Sequence, residues 1–271
     1  MTKKTILDEK NKQIDVLEEQ VRVLSTEGVT NVLKPNSKHL KIGVISDTHF
    51  GSLYDMPKLT KKVFKRFKDK GVTTVYHAGD VVDGNKMFRG HEFELRDHGM
   101  DEQLARVVND FPQEDDITTY FITGSHDLSF YKQVGMDIGD LIDTERDDMI
   151  YLGRESQDVR IKDDGAKATI RLVHPGGGTA YALSYHPQKY IESLSGGKKP
   201  NIVVFGHYHK AEFIPCYRNV FAIQAGCLEK QTPFMQRKNL AAHIGHWILD
   251  FDIDSRGVNN MNAEFFAHYE R

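Results

Sequence analysis

The chain has 271 residues, 39% of them hydrophobic and 28% charged, which is ample for a packed core and ordinary for a soluble globular protein. Its 36 Lys and Arg stand against 39 Asp and Glu, a formal charge of −3, so no global field draws it to nucleic acid and any pull on phosphate must be local. No apolar run approaches the ~20 residues of a membrane span, and Met1-Thr2-Lys3-Lys4 lacks the following apolar stretch of a signal peptide.

The two cysteines, Cys216 and Cys227, are far from any second metal-type cysteine and read as reduced thiols, so a cytoplasmic location is expected. Residues 1–37 stand apart. Leu7, Ile14, Leu17, Val21 and Leu24 recur at 7-, 3-, 4- and 3-residue steps among Glu, Gln, Lys and Arg, an a/d-like seam on one helix. Such a seam either dimerises the protein or docks a partner, or packs as an arm on its own domain. Pro35-Asn36-Ser37 marks a linker, which leaves residues 38–271 as the main domain.

From Leu40 the pattern alternates strand and helix. A strand over 42–46 runs into Asp47 and His49. Leu59, Val63, Phe64 and Phe67 then form one helix face, ringed by Lys58, Lys61, Lys62, Lys65, Arg66, Lys68 and Lys70; that ring is either a solvated surface or a contact for a nucleic-acid backbone. The strand over 72–76 leads into Ala78-Gly79-Asp80-Val81-Val82-Asp83-Gly84. Residues 85–100 have no clear period and read as a loop over a site. A helix over 101–110 is stopped by Pro112, and the strand over 117–122 runs into Gly124-Ser125-His126-Asp127. A helix is expected over 134–144, a strand over 149–152, and a hairpin about Asp163-Asp164-Gly165. The strand over 169–173 ends at His174, with His186 as its competitor just before a helix over 187–194. The strand over 202–205 ends at Gly206-His207-Tyr208-His209. Beyond it, short alternating runs, including 220–225 and 247–253, predict a second, largely antiparallel sheet. The expected class is α/β, with two sheets packed face to face and helices outside.

Five strands thus end in metal-capable side chains, at the edge where open α/β sheets bind ligands. Two divalent cations about 3.5–4 Å apart need a carboxylate that reaches both and hard or borderline ligands on each side. Asp80 is the bridging candidate. Asp47 and His49 are i, i+2, as are His207 and His209, so each pair can converge on one metal at a strand end. His126 beside Asp127 suits an imidazole oriented by a carboxylate. The pattern points to a two-metal hydrolase of phosphate esters.

Asp47-Thr-His49, Gly79-Asp80-Val-Val-Asp83-Gly84, Gly124-Ser125-His126-Asp127, His174 and Gly206-His207-Tyr-His209 resemble the five ordered motifs of calcineurin-like metallophosphoesterases, over about residues 40–210. The resemblance implies a four-layer α/β/β/α sandwich of two mixed sheets flanked by helices, with the metal site at the strand C-terminal ends. It implies Asp47, His49 and His209 on one metal, Asp80 bridging, and His174 and His207 on the other. His126 would be the general acid or a clamp on the phosphate, oriented by Asp127. The cations would most naturally be Mn²⁺, with Fe, Zn²⁺ or Ni²⁺ as alternatives. Ser125 departs from the family, which has an Asn ligand there; a hydroxyl is the poorer donor and weakens the second metal unless a small backbone shift restores the contact. Gly84 where the protein-phosphatase branch has Arg, and Asp127 where it has Glu, lean toward the nuclease and phosphodiesterase branch, which resembles SbcD-type DNA repair nucleases. The implied substrate is a phosphodiester of nucleic acid or a nucleotide. The alternatives are a cyclic or small-nucleotide phosphodiesterase, a protein or small-molecule phosphomonoesterase, and a scaffold with a degraded metal site. Tyr181, Tyr185, Tyr190 and Lys189 either stack on bases or are ordinary core and surface residues.

Overall fold

The apolar runs become strands and the 3.6-residue stripes become helices in a computed structural model that describes residues 31–33, 37–178 and 180–269. The seam at Leu7 to Leu24 and the Pro35-Asn36 break lie outside the described residues. Asn31–Leu33 forms a short strand, β1, on the edge of a sheet. The strands that follow are β2 (His39–Ile45), β3 (Thr74–His77), β4 (Thr118–Thr123) and β5 (Met149–Arg154), all parallel and adjacent in that order. Their apolar continuity follows from burial on both faces. Next come β6 (Ser156–Asp163) and β7 (Ala166–Val173), the expected hairpin, with β8 (Ile202–Phe205) parallel to β7.

The residues after Ile202 do not make a sheet of their own. β9 (Ala211–Tyr217) and β10 (Val220–Ala225) extend the second sheet, where β10 runs parallel to β8. β11 (Gly245–Asp254) instead joins the first sheet antiparallel to β2, and β12 (Gly257–Ala267) pairs antiparallel to β11 at its edge. Two six-stranded mixed sheets result, β12-β11-β2-β3-β4-β5 and β1-β6-β7-β8-β10-β9. Pairing with β2 turns the apolar alternation of Trp247, Leu249, Phe251 and Ile253 to the same inter-sheet core as Ile42 and Val44 on the neighbouring strand.

The helices are α1 (Pro57–Asp69), α2 (Met100–Asp110), α3 (Leu128–Val134), α4 (Ile138–Glu145), α5 (Tyr185–Ser193) and α6 (Pro233–Arg237). The helix expected over 134–144 is α4, and α3 before it was not expected. Gly135, at φ 73°, closes α3 in the left-handed region, and Asp137 begins α4 by accepting a hydrogen bond from the Gly139 N–H. Three cores stack across the molecule. Val44, Tyr76 and Ile122 meet Ile170, Leu172 and Val204 between the sheets. Phe64, Phe67, Val107 and Ile142 cover Ile45, Val75 and Phe121 on the outer face of the first sheet. Ile191 of α5 covers Val203 and Phe205 on the second. The order is helices, sheet, sheet, helix. No helix among the described residues is long and apolar enough to cross a membrane.

Candidate metal centre

Strands β2, β3, β4, β7 and β8 all point their C-terminal ends at one edge of the sandwich, and the chain turns sharply just beyond each. Asp47 (φ 51°), His49 (φ 45°), Asp80 (φ 53°), His207 (φ 74°) and His209 (φ 51°) are all left-handed. That region costs an L-residue roughly 1–2 kcal/mol, and it persists where surrounding bonds over-determine it. Here the bonds are specific. Asp47 N–H donates to Gly79 O at 3.0 Å, Thr48 N–H to Asp80 O at 3.0 Å, and His207 N–H to the Asp47 carboxylate at 3.0 and 3.1 Å.

The side chains fall into two groups joined by Asp80. In the first, Asp47 Oδ1 lies 3.3 Å from His209 Nε2 and 3.9 Å from His49 Nε2, and the two Nε2 atoms are 3.2 Å apart. In the second, Asp80, His174 and His207 offer donor atoms within 4.8 Å of one another, with Asp80 Oδ2 3.0 Å from His174 Nε2. The same Asp80 oxygen is 4.0 Å from His49 Nε2, so it reaches toward both groups. Ser125 Oγ donates to it at 3.4 Å.

The far ring nitrogens are engaged, which fixes each tautomer. His174 Nδ1–H donates to Ala78 O at 2.8 Å, His207 Nε2–H to Gly177 O at 2.6 Å, and His49 Nδ1–H to Asp83 Oδ1 at 3.0 Å. His174 Nε2 is thereby turned toward Asp80 Oδ2. It is buried without an aligned hydrogen bond although a carboxylate oxygen is adjacent. An imidazole nitrogen facing a carboxylate oxygen needs a proton or a cation between them, and imidazoles and carboxylates gathered this closely fit a divalent pair. The slot for His174 is cut by glycine. A Cβ on Gly79 would stand 2.5 Å from His174 Nδ1, one on Gly206 2.8 Å from the same atom, and one on Gly124 2.7 Å from its Cδ2. His186, the competitor in the sequence, stacks instead on Tyr208 outside this group.

His126 is oriented, but not by Asp127. Asp127 accepts from the N–H groups of Val81, Val82 and Gly124 at 3.2, 2.8 and 2.8 Å, so it ties the Asp80 turn to the Ser125 turn. Adjacency in sequence placed its carboxylate on the wrong side of the backbone to meet the ring. Asp83 does the orienting: His126 Nδ1–H donates to its carbonyl at 2.6 Å and lies 3.3 Å from Oδ1. Asp83 also meets His91 Nε2 at 3.3 Å, a nitrogen that must carry the proton because His91 Nδ1 accepts from the Met87 N–H. Three imidazoles thus share one buried carboxylate.

Charge follows this geometry. Burial pushes the Asp83 carboxyl up, but its bonds to His126, His49 and His91 outweigh that and hold it well below the usual range. Burial lowers His126, yet Asp80 and Asp83 drive it up to about 10. Burial also raises Asp47, while the charge and bond of His209 bring it down to about 2. Asp127 is raised to about 7 by burial and by Asp80, against its three amide donors.

Two participants escaped the sequence reading. His91 lay in a loop without a period. Glu229, buried with Asp83 and His49 in a further potential ligand group and accepting from Ser52 Oγ at 2.8 Å, follows the end of β10. The signal for Glu229 was the same strand-end position that marked the other five.

The family model of the calcineurin-like phosphoesterase superfamily domain matches residues 40–243. No curated protein matches the chain. Among solved structures, an uncharacterized predicted phosphoesterase from Streptococcus pneumoniae TIGR4 is 12% identical, covering 85% of this chain and 98% of its own, with a TM-score of 0.41. Vps29 of Entamoeba histolytica complexed with Zn²⁺ is also 12% identical, over 84% of this chain and 99% of its own, with a TM-score of 0.41. GAP50, the anchor in the inner membrane complex of Plasmodium, is 13% identical over 84% of each chain, with a TM-score of 0.52, a likeness of fold.

Proposed function

The chain belongs to the calcineurin-like phosphoesterase superfamily, and on that premise we propose that it hydrolyses phosphodiesters with the help of two divalent cations. The observation that carries this reading is the pairing of two imidazole–carboxylate groups across the single carboxylate of Asp80. Asp47, His49 and His209 would hold one cation, His174 and His207 the other, and Asp80 both, with the Ser125 hydroxyl as the weaker oxygen beside the second. Bound there, such a pair supplies Lewis-acid charge to the phosphoryl oxygens and lowers the pKa of water.

The rest falls to the chain itself. His126, with Nδ1 occupied by Asp83, has Nε2 left to give a proton to the leaving oxygen. The Asp83 carboxylate keeps that ring turned and supports its charged form. A diester suits the charge of the site better than a monoester. Among the described residues no arginine lines the cavity and Lys238 is its one long cation, whereas a monoester dianion calls for guanidinium partners. Gly84, where the phosphatase branch carries Arg, has no space for any side chain, because a Cβ there would collide with His126 O.

Metal-stripped protein titrated with Mn²⁺ tests this, with bis-(p-nitrophenyl) phosphate and p-nitrophenyl phosphate as paired substrates. Mn²⁺ comes first on the family resemblance, since imidazole with carboxylate suits Mn²⁺, Fe and Zn²⁺ alike. Hydrolysis should need metal and prefer the diester. Turnover without metal, or preference for the monoester, overturns the reading.

A further inference from the structure

Resting on the phosphodiesterase reading, we propose that the group leaving from phosphorus is a single nucleoside, which departs through its ribose oxygen with the proton of His126 as the P–O bond breaks, and that its flat base is held on a wall of rings beside His126. The wall is continuous. From His49 the ring centroids step 4.6 Å to His126, 5.6 Å to His91, 4.7 Å to Phe88 and 4.3 Å to Phe234, the last pair stacked at 22°. The series runs from a candidate ligand, through the proton donor, to two side chains with no polar atoms. It therefore lies on the leaving-group side of the reacting phosphorus.

Two segments build the wall. Phe88 and His91 come from the loop before α2, and Phe234 and Met235 from α6. The buried Glu94 locks them together, with Oε1 accepting from the Phe234 N–H at 3.1 Å and lying 3.6 Å from Arg237 Nη2. The cavity they enclose with the histidines is about 480 Å³, within the ~300–1,000 Å³ of small-molecule sites. Met87, Met235, Leu240 and Ala241 complete its apolar part. Four carboxylates, Asp80, Asp83, Glu94 and Glu229, share the lining with Lys238 as the sole Lys or Arg among the described residues. A channel for a nucleic-acid strand needs a basic groove that tracks the backbone. This cavity has rings to stack on and no such track, so one nucleoside fits its chemistry and a polymer does not.

The test is calorimetric binding to the full chain loaded with Mn²⁺, using adenosine 5′-monophosphate and ribose 5-phosphate, which differ only in the base. Stacking on an aromatic side chain predicts that the adenosine compound binds on the order of 10-fold more tightly. Phe234→Leu, which keeps apolar bulk without a flat face, and Phe88→Ala should each bring its affinity down toward that of ribose 5-phosphate. Equal affinities for the two compounds in the unsubstituted protein, or a 10-fold gap that survives both substitutions, overturn the proposal. Binding needs no turnover, so the two ideas fail separately. Base-dependent binding without hydrolysis of bis-(p-nitrophenyl) phosphate sinks the enzymatic reading, and hydrolysis without a base effect sinks the wall.

Discussion

Asp83→Asn is the sharpest single perturbation of the centre. The carboxylate accepts from His49 Nδ1 at 3.0 Å, and stands 3.3 Å from His126 Nδ1 and 3.3 Å from His91 Nε2. An amide of the same shape keeps one oxygen and turns an NH₂ toward imidazoles that are already donors. At least one of the three bonds is lost and replaced by donor facing donor. A hydrogen bond to a charged group contributes about 1.5–3 kcal/mol, which is roughly a 10- to 100-fold effect and matches the loss usual for partners of metal ligands. Because His49 is freed to rotate, the deficit should fall on metal affinity as well as on kcat. The Asp83 carbonyl still holds His126 at 2.6 Å, so proton donation should not vanish. Mn²⁺ titrations of bis-(p-nitrophenyl) phosphate hydrolysis, with metal content and Tm measured on the same samples, separate the two losses. If metal affinity and kcat both stay within twofold of the parent, Asp83 is not the hub of this site.

Gly206→Ala should weaken the metal near His174, because the new methyl meets Ala78 O, Ser46 Oγ and His174 Nδ1; overpacking of this kind costs about 1–3 kcal/mol. A drop in Tm with one metal lost is expected, and an undisturbed metal count would show that the slot tolerates bulk. Ser125→Asn should tighten the second metal by restoring an amide oxygen, and an unaltered Mn²⁺ titration would refute a role for position 125. The third test concerns acid. Burial lowers His77 to about 3, and its ring is a single neutral tautomer: Thr48 Oγ1 donates to Val81 O, so His77 Nε2–H donates to Thr48, and Nδ1 accepts from the Gly79 N–H. A folded pKa below the unfolded one means stability that is full above pH ~6.5 and lost as pH falls toward 3. Relative to His77→Gln, the parent should lose about 2 kcal/mol between pH 7.5 and 5. Parallel stability curves for the two proteins would show that His77 does not titrate this way.

Much of the centre was legible because chemistry and fold coincide at strand ends. A strand buried on both faces must be an apolar run, so the first polar residues after it stand at the sheet edge, and Asp47, Asp80, His126, His174 and His207 all occupy that position. What sequence could not supply is contact through the backbone. Asp127 looks like the partner of His126 because it is the next residue, yet successive side chains leave a turning chain in different directions, and the ring found Asp83 from another strand. The same blindness gathered the C-terminal strands into one sheet, where the structure divides them between two. Alternation says that Trp247 to Ile253 is half-buried, and only pairing with β2 says which sheet buries it. Helix α3 was missed for a simpler reason, since its 7 residues are too short a window for a 3.6-residue period to show.

The left-handed turns at Asp47, His49, Asp80, His207 and His209 shape how such a protein can change over generations. Asn shares with Asp the ability to sit in that conformation. Replacing any of the five by Asn removes a charge or an imidazole while keeping the bend in the chain, and so keeps the sandwich closed. Valine or isoleucine at the same place attacks the architecture itself. Chemistry and shape are therefore separable here one codon at a time, and a lineage can surrender its metals long before it surrenders its outline.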